Sequence, residues 1–175
     1  MIEIKCVQES DIPEIMDLME LAKNLTKNPD WYSTDDENFV RRHIDEEGFI
    51  LKAVEGECLA GFFIARYPKE AEDNLGNYWN LTDDQMQKVA HMESAAVHPD
   101  FRGRGIQKML MAHAEEILVQ EGYRYLMGTA HPDNVYSVNN FLKLGYEILT
   151  RTEKYGGLPR YVFGKTVAVL AEDYL

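Results

Sequence analysis

The sequence predicts an α+β chain in which a central strand feeds directly into a long helix. Three observations carry that prediction. Segments of alternating apolar character and segments of helical periodicity follow one another in the order β α α β β β α β α β β. Ile106, Met109, Leu110, His113, Ala114, Ile117 and Leu118 recur at the 3, 4, 7 spacing of an amphipathic helix. Just before them, residues 95–107 read Ala-Ala-Val-His-Pro-Asp-Phe-Arg-Gly-Arg-Gly-Ile-Gln, a strand end, a glycine-bearing turn and a helix start.

The elements follow in order. Residues 2–7 alternate apolar and polar side chains and read as a strand, after which Ser10 or Asp11 is expected to cap a helix carrying Ile12, Ile15, Met16, Leu18, Met19 and Ala22. Residues 25–36 form a polar loop with Trp31 and Tyr32. A second helix spans about 35–46, with Gly48 expected to stop it. Residues 49–54 and 58–67 are the arms of a hairpin turning at Gly56. The acidic, aperiodic stretch 68–88 is read as an insertion, with a short helix capped by Thr82. The central strand is 89–97, and Gly122 ends the long helix that follows. A strand at 123–130 and a helix from Asp133 or Asn134 to about Leu144 precede two last strands, 146–150 and 161–167, joined near Gly156 and Gly157.

Composition narrows the function classes. The 175 residues suit one domain, and 45% hydrophobic with 27% charged residues is ordinary for a soluble globular chain. No stretch approaches the roughly 20 apolar residues of a membrane helix, so no membrane association is expected. The first twenty residues are rich in acids, unlike a secretory signal, and a cytoplasmic location is the expectation. A net charge of −12 argues against nucleic acid as a partner. Cys6 and Cys58 are expected to be buried, reduced thiols, and no metal-ligand spacing occurs, so no metal is expected.

Against that acidity the turn after the central strand is locally cationic, with Arg102, Arg104 and Lys108. Gly103 and Gly105 let the backbone approach a ligand, and a helix beginning there aims N–H groups and the positive end of its dipole at an anion. A dinucleotide fingerprint would need glycine at 108, where Lys108 stands.

The segment resembles the GNAT superfamily of acyl-CoA-dependent N-acyltransferases, whose pyrophosphate loop reads Q/R-x-x-G-x-G/A. Arg102 opens the match and Gly105 is its fourth position, while Gln107 departs from the small residue of the sixth. Asn134, Ser137, Phe141, Gly145 and Tyr146 are similar to the family's second signature, and both together span 91–146. The resemblance implies an α/β/α sandwich with a mixed, mostly antiparallel central sheet of about seven strands. It also implies acetyl-CoA as acyl donor. Ala95, Ala96 and Val97 would then hydrogen-bond the pantetheine arm and thioester. Arg102, Gly103, Arg104, Gly105, Ile106 and Gln107 would cradle the phosphates, and Asn134, Ser137 and Phe141 would complete the coenzyme site.

Glu93 is the first candidate for the base that deprotonates the amine, since the family often places an acid there. His91 is the second candidate, and alternation puts both on one strand face. Many family members have tyrosine at the position of Phe141, and its hydroxyl is thought to assist the leaving sulfur; phenylalanine has none to offer. The expected acceptor is the primary amine of a small or amino-acid-like molecule. Two alternatives stay open: a protein N-terminus or lysine as acceptor, and a non-catalytic acyl-CoA-binding sensor or interaction module. The family often dimerises, which leaves a homodimer open. His113 is expected in the helix core, Met109 and Met111 in packing, His98 and His131 in turns, and Trp31, Tyr32, Tyr78 and Trp79 beside the acceptor.

Overall fold

The computed structural model describes residues 1–32 and 35–168. Two compact units make up the chain: Met1–Arg66 with Glu93–His113, and Tyr67–Met92 with Ala114 onward. The first holds β1 (Glu3–Cys6), α1 (Ile12–Leu25), α2 (Glu37–Arg42), β2 (Gly48–Glu55) and β3 (Cys58–Arg66). The second holds α3 (Asp83–Met86), β5 (Tyr125–Ala130), α5 (Val135–Lys143), β6 (Glu147–Lys154) and β7 (Leu158–Thr166). Both β4 (Val89–Val97) and α4 (Ile106–Gln120) run from one unit into the other.

The strands form one sheet in the order β1-β2-β3-β4-β5-β7-β6. Four neighbouring pairs, β1–β2, β2–β3, β5–β7 and β6–β7, are antiparallel, whereas β4 and β5 are parallel, with His91 opposite Met127. This is the mostly antiparallel seven-stranded arrangement of an α+β fold that the resemblance implies.

In the first unit, α1 lays Ile12, Ile15, Leu18 and Met19 against Ile50, Phe62 and Ile64 of the sheet. These are spaced as an apolar helical stripe requires, and the shared apolar burial is the main stabilising term there. In the second unit, Phe141 of α5 stacks on Phe163 of β7 with ring centroids 4.4 Å apart. Glu115 of α4 receives Lys165 of β7 at 2.8 and 2.9 Å.

Local chemistry accounts for several departures from expectation. Asp11 does not cap α1 through its side chain; its carboxylate accepts from the Gln8 N–H at 2.9 Å and closes a short 3-10 turn ahead of the helix. α2 is shorter than expected, beginning after Asp36, whose Oδ1 accepts from Phe39 N at 2.8 Å, and ending at Arg42. Gly48 is a strand residue and no helix stop: a Cβ there would lie 1.9 Å from the Ala65 carbonyl oxygen across the ladder. Cys6 and Cys58 are exposed thiols, one on the edge strand and one beside the hairpin turn. The buried stripe of α4 is Ile106, Leu110, Met111, Ala114 and Leu118, so His113 and Met109 face solvent. The expected strand at 123–130 starts at Tyr125, and the last two strands are longer than their apolar cores.

The 68–88 segment is anchored by its own polar contacts. Buried Asn74 donates to the Lys69 carbonyl at 2.8 Å and accepts from Gly76 N at 2.8 Å, while Leu75 and Gly76 are buried. Thr82 caps α3 in a reciprocal capping box with Gln85, as its sequence position suggests.

Candidate active site

The strand-to-helix junction is assembled by short-range contacts. His98 leaves β4 with its N–H donating to the Ala60 carbonyl of β3 at 2.8 Å, and its Nδ1 accepts from Asp100 N at 3.1 Å. A 3-10 turn, Pro99–Phe101, follows. Gly103 and Gly105 then take φ of 79° and 71°, the left-handed region that L side chains disfavour. Their surroundings are open, since a Cβ at either would meet nothing within 4 Å. The glycines are thus required by conformation and leave the backbone uncovered.

The first α-helical bond in this turn runs from Met109 N to the Gly105 carbonyl at 3.0 Å. The N–H groups ahead of it have no acceptor within the helix, and no acid stands in its first turn. Ile106, 1% exposed, roots the helix start in the core near Gly61. Arg102, Gly103, Arg104 and Gly105 are exposed and Gln107 is half-buried. Arg104 is engaged: its Nη2 donates to Glu55 at 2.6 Å and its guanidinium lies 5.4 Å from the Phe101 ring centre.

Ala96 is buried in the core of the first unit, whereas Ala95 and Val97 are half-buried. Glu93 and Ser94 are half-buried as well. His91 is 2% exposed, and its Nε2 accepts from Leu75 N at 3.0 Å. That bond places the ring proton on Nδ1 and ties β4 to the 68–88 segment, an anchoring role that counts against His91 as a base.

On α5, Asn134 is the helix cap. Its Oδ1 accepts from Ser137 N at 3.4 Å and its Nδ2 donates to Ser137 Oγ at 3.2 Å. Phe141 is 4% exposed, and a Cβ on Gly128 would lie 2.6 Å from its Cζ, so the ring closes over a residue without a side chain. His131 Nδ1 accepts from Asp133 N at 3.1 Å, a turn role like that of His98. Trp79 packs edge-on against Tyr125 beside Gly164, whereas Tyr78 is exposed.

Around Glu93 lie Asp35 and His43, which the sequence did not single out, and in the same unit Tyr32, which it did. Asp35, in the segment leading to α2, is raised to about 7. Burial is the largest cause; Glu93 and Asp36 add to it, and Arg66 opposes it. Burial moves the ionisation of the Tyr32 hydroxyl well above the usual phenol range, with Asp35 adding to the shift and Ser94 opposing it. His43, fully buried, points Nδ1 at the Phe39 carbonyl at 2.6 Å and has no partner at Nε2. Burial also lowers its pKa, against the pull of Glu47 and Glu93.

Among the described residues, no group of three or more His, Cys, Asp or Glu side chains is arranged to hold a metal ion. No helix among them is long and apolar enough to cross a membrane.

The fold is α+β, and its fourth strand passes through a double-glycine turn into α4. The chain matches the model of the Acetyltransferase (GNAT) family over residues 12–146, and it belongs to that family. It is 28% identical over 130 residues to the peptidyl-lysine N-acetyltransferase YjaB of Salmonella typhimurium, covering 65% of this chain and 86% of the relative. It is 29% identical over 147 residues to the acetyltransferase YE1169 of Yersinia enterocolitica, covering 83% and 87%. Two solved structures share the fold. The ribosomal-protein-S18-alanine N-acetyltransferase of Escherichia coli matches with a TM-score of 0.74 at 16% identity, covering 99% of this chain and 98% of its own. The acetyltransferase yncA of Salmonella typhimurium, solved with acetyl-CoA, matches with 0.70 at 17% identity, covering 98% and 96%.

Proposed function

We propose that the protein transfers the acetyl group of acetyl-CoA to a primary amine of a small or amino-acid-like acceptor. The observation that carries this reading is the pair of left-handed glycines, Gly103 and Gly105, whose backbone stands in open surroundings just ahead of α4. Such a turn suits a pyrophosphate, because several fixed amide dipoles converge on it without side-chain obstruction. Residues 102–107 would hold the phosphates. The half-buried Ala95 and Val97 supply strand backbone for the arm that precedes them.

Chemistry then requires a neutral amine beside a polarised thioester. The amine nitrogen attacks the carbonyl carbon, the C–S bond breaks, and coenzyme A leaves as a thiolate. Its conjugate acid, by analogy with cysteine, ionises near ~8.5, so the absence of a tyrosine at Phe141 does not stop the step. A peptide lysine is the second reading, favoured by the name of the Salmonella relative.

The test incubates the protein with acetyl-CoA and a panel of small amines and lysine peptides while free thiol is followed. Acceptor-dependent thiol release is expected, and the acceptor that gives it separates the two readings. Gly105→Glu is expected to abolish coenzyme binding in calorimetry, because it places an anion and a strained backbone in the cradle. Coenzyme binding without release by any amine would overturn the enzymatic reading in favour of a sensor.

A further inference from the structure

We propose that the protein pairs with a second copy of itself through the outer edge of β6, antiparallel strand to strand about a two-fold axis at Thr152. β6 closes the strand order β1-β2-β3-β4-β5-β7-β6, so one of its sides carries backbone N–H and C=O groups with no neighbouring strand among the described residues. The residues concerned all belong to the second unit.

An open edge alone names no partner, but the side chains on this one do. Beyond the bulge at Ile148/Thr150, residues 150–154 read Thr-Arg-Thr-Glu-Lys. Arg151 and Glu153 are exposed while Thr150, Thr152 and Lys154 are half-buried, so the two opposite charges stand on one face of the strand, two residues apart. Across the ladder they face Tyr161 and Pro159 of β7, which bring no counter-charge. A two-fold axis at Thr152 sets Arg151 of each copy opposite Glu153 of the other, and Thr150 opposite Lys154. Moving the axis by one residue sets Arg151 against its own copy, or Glu153 against its own, and like charges directly opposite are destabilising. Charge placed only to repel other edges would be of one sign. The order Arg-Thr-Glu instead selects one register.

That register also joins two exposed apolar side chains. Ile148, 44% exposed, lies at the bulge, and Tyr155, 51% exposed, follows Lys154. Counted outward from Thr152, Tyr155 of each copy falls opposite the Ile148-Leu149 bulge of the other, so an aromatic ring covers an isoleucine at both ends of the paired segment. Tyr155 is held in advance by the buried Arg160, whose guanidinium lies 5.3 Å from the ring centre, which lowers the cost of ordering it on association. β1, at the other end of the strand order, has four residues, and its Glu3 and Lys5 meet each other at 3.5 Å. So short an edge is protected by its length.

Sedimentation velocity of the full chain over about 1 to 100 μM measures the assembly. The wild type is expected to reach twice the 20.2 kDa chain mass as concentration rises. Glu153→Arg and Arg151→Glu each set like charges opposite one another on both sides of the axis, and each is expected to weaken the dimer by about 10-fold or more. They change the net charge in opposite directions, so a common loss reports the local pairing. Combining Arg151→Glu with Glu153→Arg reverses the sense of both pairs and is expected to restore the dimer. With Cys6 and Cys58 replaced by serine, Thr152→Cys is expected to give a disulfide-linked dimer, because the axis brings the two Cα atoms to about 4.5–5.5 Å. Thr150→Cys is expected to give none, its copies standing about 13 Å apart along the strand. A wild type that stays monomeric throughout overturns the proposal. So does a dimer that neither single charge reversal weakens, since another face would then hold it, and so does a cross-link through Thr150→Cys in place of Thr152→Cys.

Discussion

At the scale of single residues, two acids adjacent in sequence have opposite duties. Asp36 stabilises a helix end, a local task that its position before Phe39 makes readable. Asp35 is defined by Arg66, Glu93 and Ser94, which arrive from β3 and β4, so no window around residue 35 reveals it. Its placement also costs stability. The folded protein holds the Asp35 proton to about 7, above the 3.8 of an unperturbed aspartate, so between those values the native state binds more protons than the unfolded chain. Stability from this group therefore falls as pH rises from about 4 to 7. Asp35→Asn is expected to be more stable than the wild type at pH 8, on the order of 2 kcal/mol, with the gain gone below about pH 4. Urea denaturation at the two pH values measures it; equal stability at pH 8 would show that Asp35 is not held protonated by its surroundings.

At the scale of elements, the sequence was legible where structure is local and misleading where it depends on the partner strand. Val89–Val97 lies where the sequence placed the central strand, and the cap of Thr82 follows from side chains three residues apart. Gly48 was misread as a helix stop because its true constraint, the Ala65 carbonyl, belongs to the facing strand. The stripe of α4 was misread for a related reason. Period alone admitted Met109 and His113, but the helix is turned so that Met111 and Glu115 face inward. Glu115 can be buried because Lys165 of β7 meets both its oxygens. Glu115→Ala is expected to destabilise by about 2–3 kcal/mol, less than the ~3–5 of a fully buried pair, since the Lys165 side chain keeps 26% of its exposure. Thermal unfolding checks this, and an unchanged midpoint would show that the pair fastens nothing. Asn134 and Phe141 show a mixture: the cap was visible as a helix start, whereas the ring's fit over Gly128 was not.

At the scale of the whole molecule, 30 acidic against 18 basic residues surround a turn that carries Arg102, Arg104 and Lys108. Composition set the general field, and the signature residues pointed to the family, but the acceptor depends on loops that a single sequence does not place. An acidic body attracts a cationic acceptor over distances comparable to the Debye length, about 10 Å at 0.1 M salt. Raising ionic strength from ~0.02 to ~0.5 M is accordingly expected to raise KM for a cationic amine several-fold, leaving kcat nearly constant. Steady-state kinetics in sodium chloride test this; a KM indifferent to salt would mean that the acceptor is not drawn in by charge.

The turn at Gly103 and Gly105 has inverted handedness rather than tight quarters. Both backbones sit where a D-residue is at ease and an L-residue is not, and the space where a side chain would stand is empty. Tolerance at these two positions is thus governed by chirality and hardly by size: alanine is penalised nearly as much as a bulky residue, and asparagine, the L-residue that best accepts this conformation, is the mildest replacement.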